Sequence, residues 1–289
     1  MHVTNATIDS VSDTAFWVAH YRSVETKRND ALFRDPLAGT LAGDRGKSIA
    51  ESMPRGFMSF WVIAIRTRII DDFVRTAVNE GVDTVLNLGA GLDTRPYRMD
   101  LPASLTWIEA DYPHVIAYKE DRLAQETTRF KLTRVKCDLA DAAARRQLFA
   151  TTNAHAKKLL VLTEGVVPYL TAEEVAALAD DLGGLDHAAG WIVDFFTPEL
   201  IAARERMMGS RLKNAPFRFR PDDWSGFFAA HGWRATDIRY LAEEADRLGR
   251  PIEMPLPVKL MFILQSMFMS KGRGERFRKA AGYAMLQPA

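Results

Sequence analysis

Cysteine is nearly missing from this 289-residue sequence: Cys137 stands alone, so no disulfide can close within the chain, and stability has to come from a buried core, as in a reducing compartment. Histidine is sparse too. The six are scattered without the short ligand spacing of a metal centre, and no metal is expected. Neither charge dominates: 38 Lys and Arg face 37 Asp and Glu, a net charge of +1 that gives no general pull toward nucleic acid or an anionic membrane. Long apolar runs are also absent. The longest, over residues 57–65 and 260–264, fall far short of the roughly 20 residues of a membrane span. The N-terminus shows no basic region followed by an apolar run, so no signal peptide is expected. What remains reads as a cytoplasmic globular chain, 47% hydrophobic and 26% charged, long enough for one sizeable α/β core with additions.

The chemistry gathers at Val85–Met99, VLNLGAGLDTRPYRM. Val85, Leu86 and Leu88 read as a buried parallel strand, and Gly89-Ala90-Gly91 lets the backbone turn without Cβ interference. Asp93 and Thr94 suit a helix cap and Pro96 a first turn, so a short helix is expected with its N-terminus toward a ligand above Gly89 and Gly91. Two kinds of ligand use such a turn. Dinucleotides favour a third Gly or Ala where this chain has Thr94, whereas S-adenosylmethionine lacks a pyrophosphate and needs only the first part. Asp111, about 20 residues on, closes the strand-like run Leu105–Ala110 and is placed to accept hydrogen bonds from ribose hydroxyls. A tight turn in an ordinary α/β domain would show the same features.

Around this stretch strands alternate with helices, which predicts an α/β fold with a doubly wound, mostly parallel sheet. Ser12 or Asp13 is expected to cap a helix over Thr14–Arg22 that is apolar nearly all round and hence buried. Residues up to 56 otherwise read as short pieces broken by glycine-containing loops. Val62, Ile65, Ile69, Phe73 and Ala77 mark a helix over 57–80, stopped by Gly81. A helix from Pro113 to Leu123 leads to a strand at Val135–Leu139, and a strand at Leu159–Thr163 ends in Glu164. The capping box Thr171–Glu174 opens a helix that Gly183 and Gly184 stop. A strand at Gly190–Phe196 follows, then helices opening at Pro198 and Asp223, and strands at Trp233–Leu241 and Gly282–Leu286. Pro251, Pro255 and Pro257 mark an irregular connection before an apolar helix over Val258–Ser270.

Four separated motifs in one order resemble the leucine carboxyl methyltransferase family: TIDSVSDTAFWVAHYR, ALFRDPLAG, LNLGAGLDTR and LTEGVVPYL. The likeness is closest to its bacterial branch, which includes polyketide O-methyltransferases, and runs from about Ile8 to Leu241. It implies a seven-stranded, Rossmann-like class I methyltransferase fold ending in an antiparallel hairpin, with S-adenosylmethionine as cofactor. A single domain is expected, with a helical cap and lead-in helix over 1–80 and the core over 81–289. Residue by residue, the resemblance implies Arg66 as the cofactor-contacting arginine and a basic cap residue, Arg22 foremost, near the methionine carboxylate. It places Asp138 and Leu139 at the adenine amino group and ring nitrogen, and Glu164 near the ammonium or sulfonium. Plainer readings stand beside these: Arg66 paired with Asp71 or Asp72, Arg22 solvated, Asp138 capping the alanine-rich helix after it, Glu164 facing solvent.

The reaction so implied is in-line transfer of a methyl group to an acceptor oxygen. A carboxylate needs no base, while a hydroxyl would gain about 10² to 10⁴ in rate from one. His20, His114 and Tyr169 are available, but such residues are more often structural, and no catalytic residue is assigned. The expected acceptor is a small lipophilic molecule bearing a carboxylate or hydroxyl. A protein C-terminal carboxylate, or a non-catalytic cofactor-binding module, is the alternative. Neither nucleic acid nor membrane is expected as a partner: TEGVVPY replaces the Asn/Asp-Pro-Pro-aromatic signature that holds a flipped base. The basic run Lys271, Arg273, Arg276, Arg278 and Lys279 reads as a solvated face. The oligomeric state is left open. Met254, Met261, Met267 and Met269 among rigid apolar neighbours would let the 258–270 segment repack around varied apolar acceptors. Packing on the core or on a second copy would explain that composition equally.

Overall fold

A computed structural model describes residues 8, 10–53, 56–209, 212–253, 256 and 271–289. The Met-rich acceptor surface expected over Met254–Met269 lies outside the described residues.

Strands β1 (Thr84–Leu88) and β4 (Leu159–Thr163) are buried at every position, as continuous apolar runs must be when both sheet faces are covered. Between them the order runs β3 (Lys131–Lys136), β2 (Thr106–Asp111), β1, β4, β5 (Ala188–Phe196), β7 (Ala281–Pro288) and β6 (Trp233–Tyr240). The first five are parallel, and β7 inserts antiparallel between β5 and β6. This is the doubly wound α/β sheet that the alternating pattern predicts. The final strand pairs with β5 as well as with the sixth.

Alternate strand residues serve opposite faces. Leu86, Leu88, Val161, Trp191 and Val193 pack with Leu148 and Phe149 of α6 (Ala142–His155), Val175 and Leu178 of α7 (Ala172–Gly183) and Phe228 of α9 (Trp224–Ala230). Val85, Leu160, Leu162 and Ile192 meet Ile65, Ile69 and Phe73 of α3 (Gly56–Asn79) and Leu241 of α10 (Leu241–Arg247). Helix α3 ends in a left-handed Gly81 (φ +96°), with Gly81 N–H donating to the Val78 carbonyl and Val82 N–H to that of Ala77.

The N-terminal region departs from the expectation of one helix and short pieces. Beside α1 (Asp13–Thr26) lies a second helix, α2 (Ala38–Ser52), kinked at Gly43 (φ +52°). Glycine there bends a helix instead of ending it, and Asp35 accepts the Ala38 N–H at 3.1 Å to start it. Neither Ser12 nor Asp13 caps α1; the Asp13 carboxylate turns back to the Ser10 N–H and pairs with Arg45. Trp17, Tyr21, Ile49, Ile63, Leu212 and Ala215 form one buried cluster with Phe60 and Tyr169 at its edge, so α1, α2 and the start of α3 cap the strand carboxyl ends. Strand β3 starts at Lys131 and ends at Lys136, earlier than the strand expected at Val135–Leu139, because an edge strand needs only backbone pairing with β2.

Candidate active site

At the end of β1 the chain turns through Gly89 (φ +62°) and Gly91 (φ +46°), conformations costly to other residues. A Cβ at Gly89 would lie 2.4 Å from Val166 Cγ2, and one at Gly91 3.3 Å from Ala15 Cβ on α1. The cap and the loop after β4 therefore close directly on the turn. From the neighbouring strand end, Asp111 Oδ2 accepts the Gly91 N–H at 2.6 Å and Oδ1 the Tyr112 N–H at 2.7 Å. Each oxygen keeps a further lone pair, enough to receive two ribose hydroxyls. Burial pushes the Asp111 carboxyl up, and the two amides oppose it.

The helix expected beyond the turn is a single turn, α4 (Arg95–Arg98), too short to present a dipole. Asp93, not Thr94, accepts the Arg95 N–H, at 2.9 Å, while Thr94 is wholly buried with its hydroxyl unpartnered among the described residues. The physical reason is a buried ion network. Arg95, 1% exposed, reaches Asp71 at 2.7 Å and both Asp93 and Glu164 at 2.8 Å. Arg98 grips Asp71 through two nitrogens at 2.6 and 2.8 Å. Arg22 binds Asp35 at 2.9 Å and donates to the Leu92 carbonyl. Arg22 is thus buried, not solvated, and it fastens α1 to the glycine turn. Burial alone would raise Asp71, but Arg98 and Arg95 outweigh it and hold the carboxyl below its usual range.

Glu164, one residue past β4, is paired with Arg95 and Arg66 and largely covered, its side chain 12% exposed, so the solvent-facing reading fails. Burial would raise its pKa, and Arg95 and Arg66 bring it below normal. Arg66 pairs with Glu164 at 3.0 Å; Arg68, not Arg66, takes Asp72. Arg66 is less completely held than Arg95. Its Nε–H is not aligned on the carboxylate, and its terminal nitrogens donate to no described residue. Those spare donors fit an anion such as a methionine carboxylate.

Asp138 and Leu139 sit just past β3, with Asp138 exposed and accepting the Ala140 N–H at 2.9 Å. The cap of α6 is Asp141, which accepts from Ala143 and Ala144, so capping by Asp138 is excluded.

One site residue escaped the sequence reading. Asp194, in β5, lies opposite Tyr283 of β7 and accepts the Gly165 N–H at 3.0 Å. It faces α3, as Ile192 does, and burial raises its pKa to about 7 although Arg66 and the Gly165 amide pull the other way. A lone acid inside Trp191-Ile192-Val193-Asp194-Phe195-Phe196 was the available signal. Of the residues weighed as bases, His20 sits edge-on to Tyr21 and His114 contacts Ser12 at 3.2 Å. Tyr169 lies nearer the cluster, its hydroxyl raised by burial and influenced by Arg204 and Arg66.

The family described as "Leucine carboxyl methyltransferase" matches residues 15–183. A protein of Mycobacteroides abscessus, provisionally named an S-adenosyl-L-methionine-dependent methyltransferase, is 31% identical over 283 residues, covering 84% of this chain and 90% of its own length. A Frankia alni protein named likewise is 33% identical over 258 residues, with 84% and 88% covered. Among solved structures, a Streptomyces avermitilis protein of the DUF574 family aligns with a TM-score of 0.54 at 16% identity, over 94% of this chain and 97% of that one. A Thermobifida fusca protein, provisionally named a methyltransferase, gives 0.55 at 14% identity, over 93% and 94%. At such identities the two structures bear on the fold alone, and they share this chain's α/β architecture. The family match over residues 15–183 and relatives 31% and 33% identical along most of their length make this chain a member of the leucine carboxyl methyltransferase family, an S-adenosylmethionine-dependent methyltransferase.

Proposed function

We propose that the chain methylates an oxygen, of a carboxylate or a hydroxyl, on a small lipophilic acceptor. S-Adenosylmethionine supplies a methyl group already activated on a sulfonium, so the protein's task is to align the two partners and keep water out. Alignment of this kind can supply roughly 7–11 kcal/mol of the barrier. In this reading Asp111 receives the ribose hydroxyls, Asp138 and the Leu139 amide the adenine edge, and Gly89 and Gly91 let the cofactor approach the backbone. Arg66 directs its spare donors at the methionine carboxylate while Glu164 faces the ammonium.

The observation that carries the acceptor reading is the aromatic wall under the cap, beside Glu164 and Asp194. Tyr169 stands edge-on to Phe217 at 5.3 Å, Phe217 lies 5.3 Å from Phe196, and Tyr21 packs on Phe60 at 6.1 Å. Rings in this position favour an apolar acceptor body over a nucleic acid or an acidic peptide. Incubation with methyl-labelled cofactor and a panel of aromatic and aliphatic acids and alcohols tests this. Label is expected in organic-extractable ester or ether; label confined to protein or nucleic acid would refute the reading.

A further inference from the structure

Within the buried cluster behind Glu164, Asp194 is a carboxylate that holds no arginine. Asp71, Asp93 and Glu164 each take a guanidinium at 2.6–2.8 Å, whereas Asp194, 3% exposed, makes no ion pair with any described residue. Its two oxygens stand 3.0 and 3.3 Å from the Gly165 nitrogen, whose N–H they accept. Gly165 (φ +68°) follows Glu164, and the next residue, Val166, closes on Gly89. Asp194 therefore fixes the loop that carries both the residue assigned to the cofactor ammonium and the contact with the glycine turn.

Few charged or titratable groups face it. Arg66 approaches from α3 but takes Glu164, at 3.0 Å, and Tyr283 on β7 turns its hydroxyl to the Asp194 carboxyl. Tyr169 feels its charge more weakly, and Arg204, on α8 (Pro198–Met208), rests 3.7 Å over the Phe217 ring instead. A carboxylate so enclosed is costly to ionise without a cation, and burial raises it to about 7 although Arg66 and the Gly165 amide oppose this. A ligand that brings a positive charge shifts that balance. S-Adenosylmethionine carries a sulfonium that S-adenosylhomocysteine lacks, while both keep the ammonium and the carboxylate. From its burial, its place beside Glu164 and its want of an arginine, we infer that Asp194 is the counter-charge by which the site tells S-adenosylmethionine from its neutral thioether product. The sulfonium favours the ionised carboxylate and the thioether leaves it neutral, so binding the methyl donor releases a proton to solvent that binding the product does not. The inference rests on the cofactor seat proposed above and deepens it: the site's preference for the donor grows as pH rises.

The test titrates S-adenosylmethionine and S-adenosylhomocysteine calorimetrically into the full chain, without acceptor, at pH 5.5 and pH 7.5. In wild type the affinity for the first relative to the second is expected to rise about fivefold across that interval, the effect of an opposite charge on a nearby carboxyl that titrates within it. Asp194→Asn should lose the rise; titration of the ligands' own amines is common to both proteins and cancels in the comparison. Wild type alone gives a second readout: at pH 6.5, in buffers of unlike ionisation enthalpy, S-adenosylmethionine should release more protons than S-adenosylhomocysteine. A wild-type preference independent of pH, equal proton release by the two ligands, or the same rise in Asp194→Asn overturns the inference. Absence of S-adenosylhomocysteine binding in wild type overturns the cofactor seat, and the inference with it.

Discussion

Arg95 and Arg204 lie within one cap-covered region and differ in one respect. Arg95 spends its donors on Asp71, Asp93 and Glu164, whereas Arg204 spends none on a described residue and rests on a ring. The first arrangement is that of a joint. It ties α3, the glycine turn and the end of β4 together, and a buried charge so held is satisfied before any ligand arrives. Arg66 stands between them, paired with Glu164 through one nitrogen while its terminal nitrogens donate to no described residue. Completeness of pairing separates the three: among the described residues the fold satisfies Arg95, and leaves Arg66 and Arg204 with donors to spare.

The largest effect is expected for Arg95→Met, which leaves three carboxylates short of a partner. Removing one side of a buried pair costs about 3–5 kcal/mol, and thermal denaturation should show it; an unchanged Tm would mean that the network carries no stability.

Asp194→Asn acts next, and in the opposite direction. Its carboxyl is raised from 3.8 to about 7, so the folded chain holds a proton that the unfolded chain releases above pH 4. The stabilisation linked to that proton is complete below pH 4 and lost as pH rises through 7. The amide variant escapes the loss and should gain on wild type across that window, by about 4 kcal/mol at pH 8 relative to pH below 4. Denaturant melts at pH 5 and pH 8 giving equal differences would contradict it.

Gly89→Ala adds a left-handed alanine and a Cβ 2.4 Å from Val166 Cγ2, whereas Gly43→Ala meets no atom within 4 Å. Both incur strain of about 1–2 kcal/mol, but only the first should also abolish cofactor binding. The smallest stability effect is expected for Arg66→Met, because Glu164 keeps Arg95. Its signature is instead a cofactor affinity weaker by about 1.5–3 kcal/mol, and an unaltered affinity would return Arg66 to a purely structural role.

The sheet was legible because its signals are local. Apolar runs, the Thr171–Glu174 capping box and Gly81 act within a few residues; the box and Gly81 appear where their patterns predict, and among the strands β3 departs, starting at Lys131. Asp111 was legible through spacing, since one strand and one crossover set its place beside Gly91. The ion network was not. Asp93 read as a cap and Arg95 and Arg98 carried no reading of their own, and only the approach of Asp71 from α3 and Asp35 from the cap shows the ion pairs they make. Asp194 was hidden for the same reason: its environment comes from α3 and β7, distant in sequence. Helix α2 was missed because its kink at Gly43 breaks the local pattern while α1 restores it by packing.

We propose Gly89, Gly91 and Asp111 as the seat of S-adenosylmethionine. Calorimetric titration of S-adenosylhomocysteine, and of NAD as control, into wild type and Asp111→Ala tests it directly. One site per chain is predicted for S-adenosylhomocysteine, weakened by about 1–3 kcal/mol in the variant, with NAD bound more weakly or not at all. Equal affinity in the two proteins, or NAD bound as tightly, would contradict the account.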